Sequence, residues 1–371
     1  MKLLPAALNA AFILAGAATT MLSPLMPVLQ RRWHLDDASA GLLFAAQFTS
    51  SVCASAVVGW LAKRSGYFAL MGPGLLLISI GAIGLLITGW PAALLLVAAY
   101  GAGLGLVIPA GNLGLAAANP GSSARPLALL NLNWCAGAVL APILVAATPQ
   151  LFFLPLLAAA SGILAVGVFV ASRGERLMPG HTPVAGSGAV SLIVAAMLFL
   201  YVGTENAISG WMPTRAVRAF GGHPIWSALP SVFWTTMLGG RALTPLLVRR
   251  VKVHVLLCAS LLITLGAALC IIFAPGVGLL LVGATLGGLG LAPVFPLTVS
   301  EYAEATGGGT TSGLIFSTSA LGGAVLPALV GYVSTQSRDI RVGIAVVLLS
   351  ICLMLWLQIR LSRILHRRPV V

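Results

Sequence analysis

Residues 101–109 read GAGLGLVIP, and residues 286–294 read LGGLGLAPV. The echo is not isolated. The block Gly137-Ala138-Val139-Leu140 returns 186 positions on as Gly323-Ala324-Val325-Leu326. Met26-Pro27 returns as Met212-Pro213 and the basic pair Lys63-Arg64 as Arg249-Arg250, at the same spacing. A fixed offset at separate places in a 371-residue chain marks two homologous halves. Both halves are strongly apolar, so the expected fold is an all-α integral membrane protein whose bundle occurs twice.

Composition narrows the class further. Hydrophobic residues make up 59% of the chain and charged residues 7%, against about 25% charge in a soluble globule. Mean hydropathy is +1.05. The net charge of +13 is no nucleic-acid signature, because the basic residues sit in short loops and at the tail, with no aromatic-basic platform. They read as topology signals and contacts to anionic lipid. Cys53, Cys135, Cys258, Cys270 and Cys352 all fall in apolar stretches without CxxC spacing, so neither a disulfide framework nor a metal site is expected. No cofactor is implied. The apolar run after Met1-Lys2 is long enough to span and reads as the first membrane helix.

A membrane helix needs roughly 20 mostly apolar residues. Twelve such spans are expected, at about 4–29, 40–62, 67–90, 91–117, 126–147, 151–172, 188–212, 226–248, 253–274, 278–303, 311–334 and 341–363. They group as a six-helix bundle over 1–172, a cytoplasmic linker over 173–187, and a second six-helix bundle over 188–371 with a basic tail. With the N-terminus inside, thirteen Lys and Arg fall in inner segments and six in outer ones. This bias puts both termini in the cytoplasm. Trp33, Trp90, Trp211 and Trp226 are then expected near the outer interface and Trp60 near the inner one. Duplicated bundles of this kind occur chiefly in secondary transporters.

The turn after the second span, Gly59-Trp60-Leu61-Ala62-Lys63-Arg64-Ser65-Gly66, together with twelve spans in two halves, resembles the major facilitator superfamily. More narrowly, Tyr201-Val202-Gly203-Thr204-Glu205 with Gly210-Trp211 and Pro213 resembles the seventh span of the fucose-permease-like sugar symporters. Gly103-Leu104-Gly105-Leu106 with Asn112, and Gly239-Gly240-Arg241, carry the same resemblance. It implies ion-coupled uptake of a hexose-like sugar by alternating access, in a bacterial inner membrane and as a monomer. It also implies that spans one, four, seven and ten line the cavity, and that Lys63 and Arg64 belong to an inner gate. The family usually has an acid where Lys63 stands. Its fucose permease pattern has acids in the first and fourth spans, where this chain has Asn9, Thr19, Thr20, Ser23 and Asn112. That coupling scheme therefore does not transfer residue for residue.

Ionisable groups inside the membrane cost about 2.5–3.5 kcal/mol on insertion scales, so those retained have a partner or a wet cavity. Glu205 lies well inside the seventh span. It is the expected ion-coupling group, for proton or sodium, and a substrate ligand. The competing reading is an acid that braces its helix. Arg241 and Glu301 lie at similar depth toward the inner side and are expected to pair as a gate latch. A sugar needs carboxamides and hydroxyls beside an aromatic face. Gln47, Asn112, Asn131, Asn133, Asn206 and Thr318 are the expected polar ligands, and Trp134 and Trp234 the expected platforms. Each has a competing role in helix packing, worth about 0.6 kcal/mol per hydrogen bond. No nucleophile–base set or metal-ligand cluster stands out, so an enzyme is not expected. The main alternative is a proton-coupled exporter of drugs or amphipathic metabolites on the same fold.

Overall fold

The computed structural model describes residues 3–119, 122, 124–172, 188–305 and 313–366. Among them the chain is helical throughout. In order come α1 (Leu3–Thr20), α2 (Leu22–Trp33), α3 (Asp37–Ser65), α4 (Met71–Ile87), α5 (Ala93–Ala118), α6 (Ala124–Ala147) and α7 (Phe153–Ala171). Then follow α8 (Ala189–Phe220), α9 (Leu229–Leu247), α10 (Val253–Phe273), α11 (Val277–Leu291), α12 (Val294–Ala305), α13 (Gly313–Ser337) and α14 (Ile340–His366). Helices dominate because a backbone in hydrocarbon must satisfy its polar groups internally.

Every expected span contains a helix. Among the described residues ten helices are long and apolar enough to cross a membrane, and the pair α1–α2, bent by 44°, makes an eleventh. Pro24 cannot donate to the Thr20 carbonyl, which removes a rung of the ladder at this break. The remaining expected span corresponds to α9, whose 19 residues include Ser231, Thr235, Thr236 and Arg241. The tenth span is divided at Pro293 into α11 and α12.

The chain forms two compact units: Met1–His34 with Leu42–His181, and Leu35–Gly41 with Thr182–Val371. The expected linker, 173–187, lies outside the described residues, as do Lys2, Arg367 and Arg368 of the charge tally.

Each unit is closed by the same glycine contacts. In the first, a Cβ on Gly16 would strike the carbonyl of Trp134, and one on Gly137 would strike that of Ile13, so α1 and α6 cross backbone to backbone. In the second, Gly203 faces the carbonyl of Gly322, and Gly322 faces that of Phe199, which joins α8 to α13. Phe199 is the repeat mate of Ile13, 186 positions on. The glycine-rich helices obey the same rule. Gly101 of α5 meets Gln47 and Ser50 of α3, and Gly288 of α11 meets Phe233 and Thr236 of α9. Gly103 meets Gly74 and Ile78 of α4, and Gly290 meets Ser260 and Thr264 of α10. Small residues of this kind let membrane helices approach closely, where packing rather than water drives association.

Asp37 is the first residue of α3 and is only 4% exposed. Its carboxylate accepts Arg218 Nη1 at 2.7 Å and Nη2 at 2.5 Å, and also the Ser334 hydroxyl. The Ala38 amide donates to Thr335 Oγ1 at 2.8 Å. The carboxylate thus ties the start of α3 to α8 and α13. Asp37→Ala is expected to lower stability in detergent by about 1–3 kcal/mol, the range for losing hydrogen bonds to a buried charged group. Thermal unfolding of the purified protein measures it, and an unchanged midpoint would show that the contact contributes little. Trp211 is fully buried and donates its indole N–H to the Pro327 carbonyl at 2.9 Å, bracing α8 on α13.

Candidate functional site

The stretch Tyr201-Val202-Gly203-Thr204-Glu205 occupies the middle of α8. Residues four apart share a helix face, so Tyr201 and Glu205 stand one above the other. Both are buried, at 1% and 7% exposure. The Tyr201 hydroxyl is hydrogen-bonded to the Glu205 carboxyl. Arg241 of α9 donates Nη2 to the Tyr201 oxygen at 3.1 Å, and its charge acts on Glu205. The result is a chain in which guanidinium donates to phenol and phenol donates to carboxylate.

Neighbouring contacts hold this chain in place. The Tyr201 ring lies against Phe295 of α12, centroids 5.6 Å apart. The Ser209 hydroxyl donates to the Glu205 carbonyl at 2.8 Å. Thr204 and Ser350 of α14 share a hydrogen bond of 2.8 Å. The buried carboxylate is tolerable beside the half-buried guanidinium because the opposite charge offsets it. Losing the guanidinium would leave an uncompensated buried ion, whereas the guanidinium, partly open to solvent, tolerates losing the carboxylate better. Glu301 of α12 accepts Gln358 Nε2 of α14 at 3.1 Å.

The remaining candidates on this unit are less concentrated. Asn206 returns its Nδ2 to the Val202 carbonyl at 2.8 Å, a bond within its own helix. Trp234 of α9 is 5% exposed and sits edge-on to Phe233, centroids 5.4 Å apart. Thr318 is half-buried on α13.

The first unit gathers the carboxamides. Asn131 of α6 donates to Asn112 Oδ1 of α5 at 3.0 Å, and Asn133 of α6 donates to Asn9 Oδ1 of α1 at 2.8 Å. Gln47 of α3 is 1% exposed and donates Nε2 to the Thr19 carbonyl at 3.0 Å, just before the break between α1 and α2. Its Oε1 is buried without a hydrogen-bond partner, a state that calls for a further donor. Trp134 is half-buried on α6. Lys63 and Arg64 end α3 and are exposed, with the Arg64 guanidinium 4.6 Å above the Trp60 ring.

Two residues outside the sequence-based set belong with these groups. Tyr201 links Arg241 to Glu205, and its signal was the four-residue spacing inside the quoted motif. Asn9 binds Asn133 across 124 positions, a pairing that no local pattern announces.

Two pseudo-repeated helical units, intramembrane charges held in a hydrogen-bonded chain, and paired carboxamides define a polytopic membrane transporter rather than an enzyme. The family model of the Major Facilitator Superfamily matches residues 8–327, and the chain belongs to that superfamily. A bacterial homologue of the human lysosomal transporter Spinster has a similar structure, with a TM-score of 0.81 at 12% identity over 99% of this chain and 98% of that one. The nucleoside transporter NupG aligns at a TM-score of 0.71 and 15% identity, over 99% of both chains. The fucose:proton symporter FucP of E. coli aligns at 0.60 and 20% identity, over 96% of this chain and 98% of that one. At such identities the likeness is one of fold. No curated protein sequence matches the chain.

Proposed function

We propose that this protein imports a hexose-like sugar coupled to protons, by alternating access. In this reading it is a monomer of the bacterial inner membrane with both termini in the cytoplasm. The observation that carries the proposal is the Arg241–Tyr201–Glu205 chain, whose phenol and carboxyl are buried. A sodium site on a broken helix is built from carbonyl and carboxylate oxygens. Glu205 faces a phenol and a guanidinium, both hydrogen-bond donors, and this surrounding suits a proton better than a metal cation.

Protonation neutralises Glu205 and weakens its hold on Tyr201. The phenol and the guanidinium then take the hydroxyl oxygens of a substrate as acceptors. Release of the proton restores the internal chain and discards the substrate, so proton and substrate are bound together and lost together. The carboxamides Asn112, Asn131 and Asn133 and the orphaned Gln47 Oε1 support a polyhydroxylated substrate. Asn206 and Thr318 supply further polar contacts, with Trp134 and Trp234 as ring platforms. Arg241 and Glu301 on one unit, and Lys63 and Arg64 on the other, serve gating.

Uptake of a labelled hexose panel into proteoliposomes, with proton and sodium gradients imposed separately, tests the reading. Accumulation of one sugar under the proton gradient alone is the expected result. Accumulation under sodium alone would overturn the coupling argument. No uptake of any sugar would favour the export of amphipathic metabolites on the same fold.

A further inference from the structure

Where α8 ends and α13 turns into α14, the second unit holds an open cavity of about 360 Å³ lined by Arg215, Arg218, Arg338, Arg341 and Asp339. This volume is within the roughly 300–1,000 Å³ typical of small-molecule sites. Four guanidiniums converge on it, and two carboxylates answer them. Asp339 caps α14 by accepting the Arg341 amide at 2.9 Å and takes that residue's Nη2 at 2.8 Å. These bonds, together with the nearby Arg215 charge, hold the Asp339 carboxyl below its usual range. Asp37 answers Arg218.

Arg215 and Arg338 have no carboxylate within ion-pair distance among the described residues. Arg215 is 6% exposed and its Nη2 reaches the Ile272 and Ala274 carbonyls, at 3.4 and 3.1 Å. Its Nε is buried without a hydrogen-bond partner. Arg338 is exposed, and its backbone sits in the left-handed region at φ 58°. The amide of Arg338 donates to the Thr335 carbonyl at 3.3 Å, closing the turn that places its side chain at the cavity. Two positive charges therefore remain at one cavity. A buried guanidinium with an unused donor is also unusual, because buried polar groups are nearly always satisfied.

We propose that this cavity is an oxyanion site that takes a phosphate group, away from the Tyr201–Glu205 chain. Guanidiniums match phosphate oxygens in a planar fork, and such charge-assisted bonds are among the strongest hydrogen bonds available to a protein. The phosphate belongs either to the headgroup of an anionic lipid, for which basic pockets at helix ends are suited, or to a soluble phosphate ester.

Two titrations of the purified protein distinguish these sources. Inorganic phosphate is titrated in neutral detergent, with thermal unfolding as the readout. In parallel, nanodiscs of phosphatidylglycerol are compared with nanodiscs of phosphatidylcholine. Arg338→Gln serves as the test variant, since the side chain is exposed and its loss spares the fold. Saturable stabilisation by inorganic phosphate, weakened about tenfold or more in the variant, would assign a soluble ligand. Stabilisation by phosphatidylglycerol over phosphatidylcholine, lost in the variant, would assign a lipid headgroup. No stabilisation by either probe, or an equal response of variant and parent, would overturn the site. The readout is binding, so it stands or falls independently of sugar transport.

Discussion

Glu205→Gln is expected to abolish proton-driven accumulation while leaving the protein folded. Glutamine keeps the size of the side chain and still accepts the Tyr201 hydroxyl through its amide oxygen. It cannot release or take a proton. For one proton moved per substrate, a gradient of two pH units is worth about 2.7 kcal/mol and supports about 100-fold accumulation. The variant should fall to equal concentrations on both sides of the membrane. Exchange of labelled for unlabelled substrate needs no net proton movement and should persist. That split separates coupling from architecture, because an acid that merely braces α8 would change neither readout when replaced by its amide. Full accumulation by Glu205→Gln would therefore remove Glu205 from the coupling path.

The partners of Glu205 extend the argument. Tyr201→Phe removes the bridge and leaves both charges, so accumulation should drop without complete loss. Arg241→Gln leaves a buried carboxylate without its counter-charge, and breaking such a pair costs about 3–5 kcal/mol. Poor yield of folded protein is expected there, or survival only with Glu205 protonated. Restoring yield with the double variant Arg241→Gln, Glu205→Gln would show that the two charges depend on each other.

Much of this arrangement was legible in the chain, and the rest was hidden for physical reasons. Span positions follow from the solvent, since hydrocarbon demands about 20 apolar residues whatever the fold. The repeat and its 186-residue offset were legible too, but which glycines make equivalent contacts was not. Matching letters align GLGL at 103–106 with GLGL at 288–291. Packing pairs Gly101 with Gly288 and Gly103 with Gly290, because the residues they touch are mates at the 186-residue offset, Gln47 with Phe233 and Gly74 with Ser260. A glycine is placed by the neighbour it must admit, and that neighbour lies on another helix. The same distinction explains the charges. Depth along a span can be counted, but rotation about the helix axis cannot be counted across helices, so the contacts of Arg241 with Tyr201 and of Glu301 with Gln358 were not readable. Within one helix rotation is fixed by sequence, so the Tyr201–Glu205 pair was readable from its spacing.

Gly322→Leu and Gly137→Leu, at the equivalent crossing in the other unit, are expected to be the most destructive substitutions outside the charged chain. At both sites the first added carbon meets a backbone carbonyl on the facing helix, that of Phe199 for Gly322 and that of Ile13 for Gly137. A carbonyl within a helix cannot rotate away without breaking its own hydrogen bond, so the helices must separate. Overpacking costs about 1–3 kcal/mol where side chains give way, and these sites offer none that can. A loss at or above the top of that range is expected, read as a collapse of monodisperse protein in size-exclusion chromatography. Gly239→Ala is the matched control. It belongs to the Gly239-Gly240-Arg241 motif, yet a Cβ there meets nothing within 4 Å, whereas one on Gly240 would meet the Ala292 side chain at 2.6 Å. The alanine at 239 should be neutral or slightly stabilising, since it restricts the unfolded chain and fits helical backbone. If Gly322→Leu remained monodisperse at the parent melting temperature, close approach of α8 and α13 would not be what holds the second unit together. The shared glycine crossing would then be inherited geometry with little energetic weight.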